Sequence, residues 1–391
     1  MNSSTVALGK IAKISSGGTP DRDTPSYWGG EIPWIKTTQI QNCLIHADDV
    51  DEWITPEGLK HSAAKIVSKG TILMAMYGQG KTRGQVAILG LDATVNQACA
   101  AIELDAKVSR DYVYQQLLFR YQAIRALSNT GSQENLNAGL IREIGFPLPA
   151  RVEQDYVAEL LTNWDDAIER TERLIAEKSR RLSHLREHHL TKPNQFTRIK
   201  LKSATRESMA RNGKRLGREA IMAVTKQVGM RPMREETISA AIDRYKVVRP
   251  QAFAYNPMRL NIGSIAISSF DEDVLVSPDY VVFECDEAKL MPGYLNHLRR
   301  TRLWASHFEA AGSGGVRVRI YYDDLGAFAL PLRSLAEQQR VLSALDAGVT
   351  EIETLEQYLA ALKTQKRGLM QKLLTGQWRV PIHKSEEAVD A

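Results

Sequence analysis

Cysteine is scarce in this chain: three in 391 residues, at Cys43, Cys99 and Cys285, far apart and without a CxxC pair. That spacing excludes a disulfide scaffold and a cysteine-rich zinc centre, and suits a reducing cytoplasm. Long hydrophobic runs are missing too, since none approaches the roughly 20 residues needed to cross a bilayer. Met1 to Gly9 has neither the basic start nor the apolar core of a signal peptide. The expected location is the cytoplasm, with no membrane partner. Catalytic signatures are equally sparse. There is no G-x-S-x-G, no HExxH, and no glycine-rich cofactor fingerprint with an NPPY-like methyltransferase loop; the "NPM" at Asn256 is too short a likeness. A strong net charge is also lacking, at +5 from 51 basic and 46 acidic residues. One stretch departs from that balance. Between Lys192 and Glu219, nine basic residues face two acidic ones, which reads either as a solvated linker or as a strip beside a polyanion.

What is present is a sequence written twice. "VEQDYVAELLTNWDDAIERTERLIAEKSRRLSHLREHHLT" from Val152 aligns without a gap to "AEQQRVLSALDAGVTEIETLEQYLAALKTQKRGLMQKLLT" from Ala336, an offset of 184. Both carry a seven-residue apolar rhythm, the mark of a helix that pairs with another helix. The first copy places Leu161, Trp164, Ile168, Ile175, Leu182 and Leu185 on the seam, with Thr171 and Lys178 as weak places. The second places Leu345, Ile352, Leu355, Leu359, Leu362, Leu369 and Leu373 there, with Gly348 and Lys366 weak. Ser334 with Glu337 forms a capping box, Gly376 is a C-terminal stop, and Pro193 breaks the first copy. At about 36 residues and 1.5 Å each, the first helix would be on the order of 50 Å long. Segments ahead of the helices echo more faintly. "KIVSKGTILMAMYG" faces "KVVRPQAFAYNPMR" at an offset of 181, and "FPLP" (146–149) faces "FALP" (328–331).

The spacing predicts two globular units, mixed but mainly β, alternating with two long helices: an α+β chain with a pseudo-two-fold internal repeat. The expected boundaries are 1–149 and 193–330 for the globular units, 150–192 and 331–376 for the helices, and 377–391 for a tail. The first unit opens "SSGGTP…YWGG-IPW", a "GSQ" precedes its "PLP", and both helices begin with "EQ". In these features the chain resembles the specificity subunit of type I restriction–modification systems, although the second unit lacks "SGGTP". The resemblance implies two target-recognition domains, each reading one half of a split, asymmetric site in double-stranded DNA. It implies that the helices pair antiparallel as a coiled coil, fix the spacer between half-sites and dock two methyltransferase subunits. Restriction and translocase subunits would complete the complex. S-adenosylmethionine, ATP and Mg2+ would belong to those partners, leaving this chain non-catalytic. The specificity chain of a restriction class with a fused nuclease–methyltransferase partner is a near variant. A stand-alone P-loop hydrolase or nuclease is a third alternative.

That third alternative rests on two motifs. "AMYGQGKTRG" (75–84) has Walker A spacing if Ala75 stands for the first glycine, but a P-loop needs a helix after Lys81-Thr82. The chain instead runs "RGQVAILGLDATV", where Gly84, Val86 and Ile88 alternate as in a strand. A hairpin loop is expected, offering Gln79, Lys81, Thr82 and Arg83 to DNA: lysine for phosphates, glutamine or arginine for base edges. "PDYVVFECDEAK" (278–289) imitates a nuclease pattern, but a strand-like run holds Asp279 and Glu287 roughly 20 Å apart. His184 and His188, four apart on a charged helix, read as solvent-facing, so no metal site is expected. The remaining expected DNA contacts in the first unit are Ser16, Gly17, Gly18, Thr19, Lys36, Thr37 and Gln133. In the second they are Lys226, Gln227, Arg231, Arg234, Asn256, Arg259, Asn261, Ser313, Arg317 and Arg319. Trp28 and Trp34 read as core aromatics.

Overall fold

Residues 5–78, 80–127, 135–192, 197–226, 229–239, 241–310 and 319–380 are described by the structure, a computed structural model. The chain divides into two units, Met1–Thr171 with Tyr358–Ala391, and Glu172–Gln357. Its architecture is mixed α and β, with antiparallel and parallel strand pairs.

In the first unit a five-stranded sheet runs in the order Ala12–Ser16, Cys99–Leu104, Ile72–Ala75, Val86–Leu89, Cys43–Ile45. Successive side chains on a strand point to opposite faces. Ile72 and Met74 therefore enter one core, packed with the helix Arg110–Phe119, while Leu73 and Ala75 enter a second. Covered on both faces, the strand Ile72–Ala75 is apolar throughout rather than alternating. The strand Trp28–Ile35 belongs to a separate four-stranded sheet.

The second unit repeats this logic with a four-stranded sheet in the order Thr205–Glu207, Val281–Cys285, Phe253–Tyr255, Ile265–Ile267. Phe253, Tyr255 and Phe283 face one core, and Ala254, Val282 and Ala266 the other. The rings of Phe253 and Phe283 stack with centroids 5.1 Å apart. A hairpin of Met222–Thr225 and Gly229–Pro232 lies beside this sheet.

The two long helices span Arg151–Thr191, 41 residues, and Leu335–Leu374, 40 residues. The distal one opens with the expected capping box, in which the Glu337 N–H donates to Ser334 Oγ (3.4 Å) and Ser334 Oγ–H to Glu337 Oε2 (2.8 Å). It stops at Gly376, whose φ of 73° only glycine adopts freely. Pro193 lies outside the described residues.

Every heptad position on the two helices is buried or half-buried, the weak ones included. In the first unit Thr171 satisfies its hydroxyl on the Ala167 carbonyl (2.7 Å), and Lys366 donates to Asp165. In the second unit Lys178 pairs with Glu351 (2.6 Å), and Gly348 faces Leu182.

The "EQ" glutamines are buried polar groups whose amides both accept and donate. Gln154 accepts from the Ser109 N–H (2.9 Å) and donates to the Pro149 carbonyl (2.8 Å). Gln338 accepts from the Met291 N–H (2.9 Å) and donates to the carbonyls of Lys289 (2.8 Å) and Arg333 (2.9 Å). Each ties its long helix to the N-terminus of a shorter one, Arg110–Phe119 or Pro292–Leu298. Tyr112 and Tyr294, on those short helices, donate to the carbonyls of Pro147 (2.9 Å) and Pro331 (3.5 Å).

Candidate nucleic-acid interface

Register decides which loops meet. In the first unit Ser16 lies opposite Ala100, and Cys99 opposite Ala75. The segment after Ser16, the turn at 96–98 and the loop after Ala75 therefore leave the sheet at the same end. The Met76 N–H donates to the Ala98 carbonyl (2.8 Å), and the Leu136 N–H to the Met76 carbonyl (3.1 Å), drawing in a third segment.

The strand Val86–Leu89 pairs antiparallel with Ile72–Ala75, so a strand and not a helix follows Lys81-Thr82. This hairpin has no helix N-terminus to hold a phosphate, and the P-loop reading fails on geometry. Lys81 is exposed at the turn, while Thr82 and Arg83 are half-buried. The Tyr121 hydroxyl donates to the Lys81 carbonyl and itself accepts from Arg125 Nη1 (2.7 Å). Gln79 and Gln133 lie outside the described residues.

Ser16 is exposed at the strand end, and Thr19 donates through Oγ1 to exposed Gln97. The two glycines between them serve packing rather than approach to a phosphate. Gly18 is buried, and a β-carbon on Gly17 would sit 1.8 Å from the Val95 carbonyl oxygen. Both tryptophans clamp this loop, Trp34 Nε1 donating to the Gly18 carbonyl (2.9 Å) and Trp28 Nε1 to the Asp21 carbonyl (3.0 Å).

Lys36, expected at DNA, meets two carboxylates in the free chain. Its ammonium pairs with Glu52 (2.6 Å) and Asp51 (2.9 Å), and those bonds raise its pKa. Burial works to raise the Glu52 pKa, yet bonds from Lys36 and Arg22 hold it below the ordinary value. Thr37 is half-buried in the turn Thr37–Gln39. Sequence reading missed Arg22, whose guanidinium lies 3.8 Å from the Trp28 ring and 4.6 Å from the Trp34 ring. The only local signal was an arginine six residues ahead of a tryptophan. Gln97 was missed because nothing in sequence joins it to Thr19.

The second unit gathers its loops the same way. Glu207 lies opposite Phe283, and Tyr255 opposite both Val281 and Ile265, so 256–264 and 277–280 emerge together. The Ile320 N–H donates to the Pro257 carbonyl (3.0 Å), bringing Arg319 alongside, as Leu136 meets Met76 in the first unit. Arg319 is exposed and donates to the Tyr321 hydroxyl (3.4 Å). The aliphatic stem of Lys226 runs beside Gly263, and Ser264 Oγ–H donates to the Val224 carbonyl (3.0 Å). Lys226, Arg259, Asn261 and Arg319 thus share one end of the sheet. Asn256 shares it too, but its Oδ1 accepts from the Met258 N–H (2.9 Å), so its amide oxygen is already engaged by the turn. Arg231, opposite Ala223, and Arg234, ahead of the turn Glu235–Thr237, are exposed but lie away from the hairpin turn that carries Lys226. Gln227, Ser313 and Arg317 lie outside the described residues.

The basic stretch after Lys192 is paired in part. Lys202, Arg206, Arg215 and Arg218 meet Asp323, Glu284, Asp273 and Glu235. Asp279 and Glu287 flank opposite ends of the strand Val281–Cys285 and are both exposed. The His184 and His188 rings are 6.3 Å apart, and no group of three or more potential metal ligands occurs among the described residues. Among those residues no helix is long and apolar enough to cross a membrane.

Solved structures share this fold. The type I restriction–modification S subunit from M. genitalium superposes with a TM-score of 0.57 at 12% identity, covering 95% of this chain and 96% of that one. A chain from a structure of the type I R-M system, solved to explain complex assembly and conformational transition, gives 0.55 at 14% identity, covering 96% and 98%. The sequence carries a likeness of its own. Residues 2–177 match the model of the type I restriction modification DNA specificity domain. The type I restriction enzyme MjaIX specificity subunit of Methanocaldococcus jannaschii is 30% identical over 164 residues, 41% of this chain and 37% of the relative. The EcoR124I/EcoR124II specificity subunit of Escherichia coli is 28% identical over 164 residues, 40% of each chain. The aligned stretch thus spans about two fifths of each curated relative.

Proposed function

We propose that this chain is the DNA-specificity subunit of a type I restriction–modification complex. Its two units read the two halves of a split, asymmetric site, and the long helices pair antiparallel as a coiled coil that sets the spacer and docks two methyltransferase subunits. Methyl transfer, ATP-driven translocation and cleavage belong to partner chains, which bring S-adenosylmethionine, ATP and Mg2+. The observation that carries this reading is the recurrence of one arrangement in both units. Each gathers cations and amides on loops at one end of a sheet, and in each a buried glutamine, Gln154 or Gln338, ties the long helix to the start of a shorter one. Two units of like arrangement but different loop chemistry suit a target whose halves differ. Mapping methylated bases across the host genome with and without the gene tests it. Loss of one split motif, methylated on both strands, is expected; an unchanged methylome from an expressed system overturns the proposal.

A further inference from the structure

Resting on that reading, we infer that Met258 and Ile262 are base-reading residues of the second unit, seated against thymine C5-methyl groups in the major groove. Both are apolar and solvent-facing, 42% and 57% exposed, on the 256–264 loop at the sheet end that carries the cations. Isolated apolar side chains are ordinary on protein surfaces. These two stand on a loop that is closed on itself. The Arg259 N–H donates to the Asn256 carbonyl (3.0 Å), that of Gly263 to Leu260 (2.9 Å), and that of Ser264 to Arg259 (3.0 Å). Leu260 is 2% exposed and pins the loop to the core, while the Pro257 carbonyl is held by Ile320. The backbone therefore presents Met258 and Ile262 outward in a fixed arrangement, with their apolar surface left unburied in the free protein.

The surroundings select the occupant. Lys226, Arg259 and Arg319 at the same end favour a polyanion. Within a DNA groove the apolar feature that distinguishes bases is the thymine methyl, which the major groove displays and aliphatic side chains contact. The corresponding loop of the first unit carries Tyr77, 42% exposed, so the two units differ in chemistry at this point. A closed loop also costs little ordering entropy on binding, which lets a contact as small as one methyl be felt.

The test uses the chain assembled with its methyltransferase partners, and duplexes bearing the split motif from methylation mapping, each thymine in turn replaced by deoxyuridine. In the parent complex, loss of the relevant methyl should weaken binding about fourfold, the equivalent of one buried methyl group. With Met258→Ser or Ile262→Ser the same replacement should change nothing. Met258→Leu should keep the dependence, and binding of both serine variants to random-sequence duplex should match the parent, as it does if the unit remains folded. Three results overturn the inference: no thymine in the motif, no cost of deoxyuridine anywhere, or the same cost in both serine variants. Serine variants that bind the partner subunits more weakly than the parent, while the complex they still form keeps the parental cost of deoxyuridine, would assign the two side chains to a protein contact, and overturn it as well. Failure to find any split motif overturns the proposed function itself, whereas the three results above leave that function standing.

Discussion

At the scale of single residues, side chains that look alike in sequence divide by what already holds them. Lys36 and Lys81 are both lysines beside threonine, but two carboxylates occupy Lys36, while Lys81 stands exposed on a hairpin turn. Lys81→Ala is expected to weaken DNA binding on all sequences alike and to lower the salt slope of the binding constant by about 1. A salt titration of the assembled complex on specific and random duplexes checks this; an effect confined to the specific duplex would refute it. Gly17→Ala and Gly18→Ala should unfold the first unit rather than tune it, because the new methyl meets backbone atoms that cannot rotate away. His297, 2% exposed, offers a pH signature. Arg186 Nε–H donates to its Nδ1 (3.0 Å), so Nε2 carries the proton that faces Asp346 (2.9 Å). Burial lowers its pKa below 6.5; Asp346 opposes this, and Arg186 and Arg300 add to it. The folded state thus binds fewer protons than the unfolded one below about pH 6.5. Stability from this site is full above that pH and is lost as pH falls through the folded pKa. His297→Gln should flatten the acid side of the stability profile, since glutamine can donate to Asp346 as Gln115 does to Asp165 in the first unit (2.9 Å). Thermal melts from pH 8 to 5 measure it.

At the scale of elements, the covered face of each long helix was legible and its supports were not. Leucine spacing marks both helices because a period near 3.5 residues keeps one face turned toward a partner. The spacing shows Thr171, Lys178, Gly348 and Lys366 only as weaknesses. What makes each tolerable is a neighbour distant in sequence or a backbone carbonyl one turn back, which no local pattern specifies. The buried glutamines make the same point. Gln154 and Gln338 recur as a two-letter echo, but their value lies in the backbone groups they satisfy. Gln154→Ala would strand the Ser109 N–H and the Pro149 carbonyl, and Gln338→Ala the groups of Met291, Lys289 and Arg333. Each orphaned group costs roughly 1–3 kcal/mol, so either substitution should lower the denaturant midpoint of its own unit well beyond an exposed Gln→Ala control such as Gln371→Ala.

At the scale of the whole molecule, the proposed function makes the helices a ruler. Inserting one heptad into each, in register, would lengthen the seam by about 10 Å. That is the rise of about 3 base pairs. The methylated motif should then keep both half-sites and gain a correspondingly longer spacer. Methylome mapping of the variant reads the result, and a changed half-site with an unchanged spacer would refute the ruler. Exchange of the 256–264 loop should alter one half-site alone, because the other unit carries its own sheet and loops.

By itself the sequence determined what repeats at short range. It set the two heptad stretches, the capping box at Ser334, the stop at Gly376, and a strand rather than a helix after Lys81. Each of these depends on periodicity or on a backbone preference of a few neighbouring residues. Tertiary structure decided which of the chemically suitable side chains remain available. It spent Lys36 on Asp51 and Glu52, turned Gly17 and Gly18 to packing, engaged Asn256 within its own turn, and brought Arg319 beside a loop some 60 residues earlier in the chain. Those outcomes follow from sheet register and long-range pairing, where one residue's partner is fixed by the path of the whole strand order and not by its neighbours in sequence.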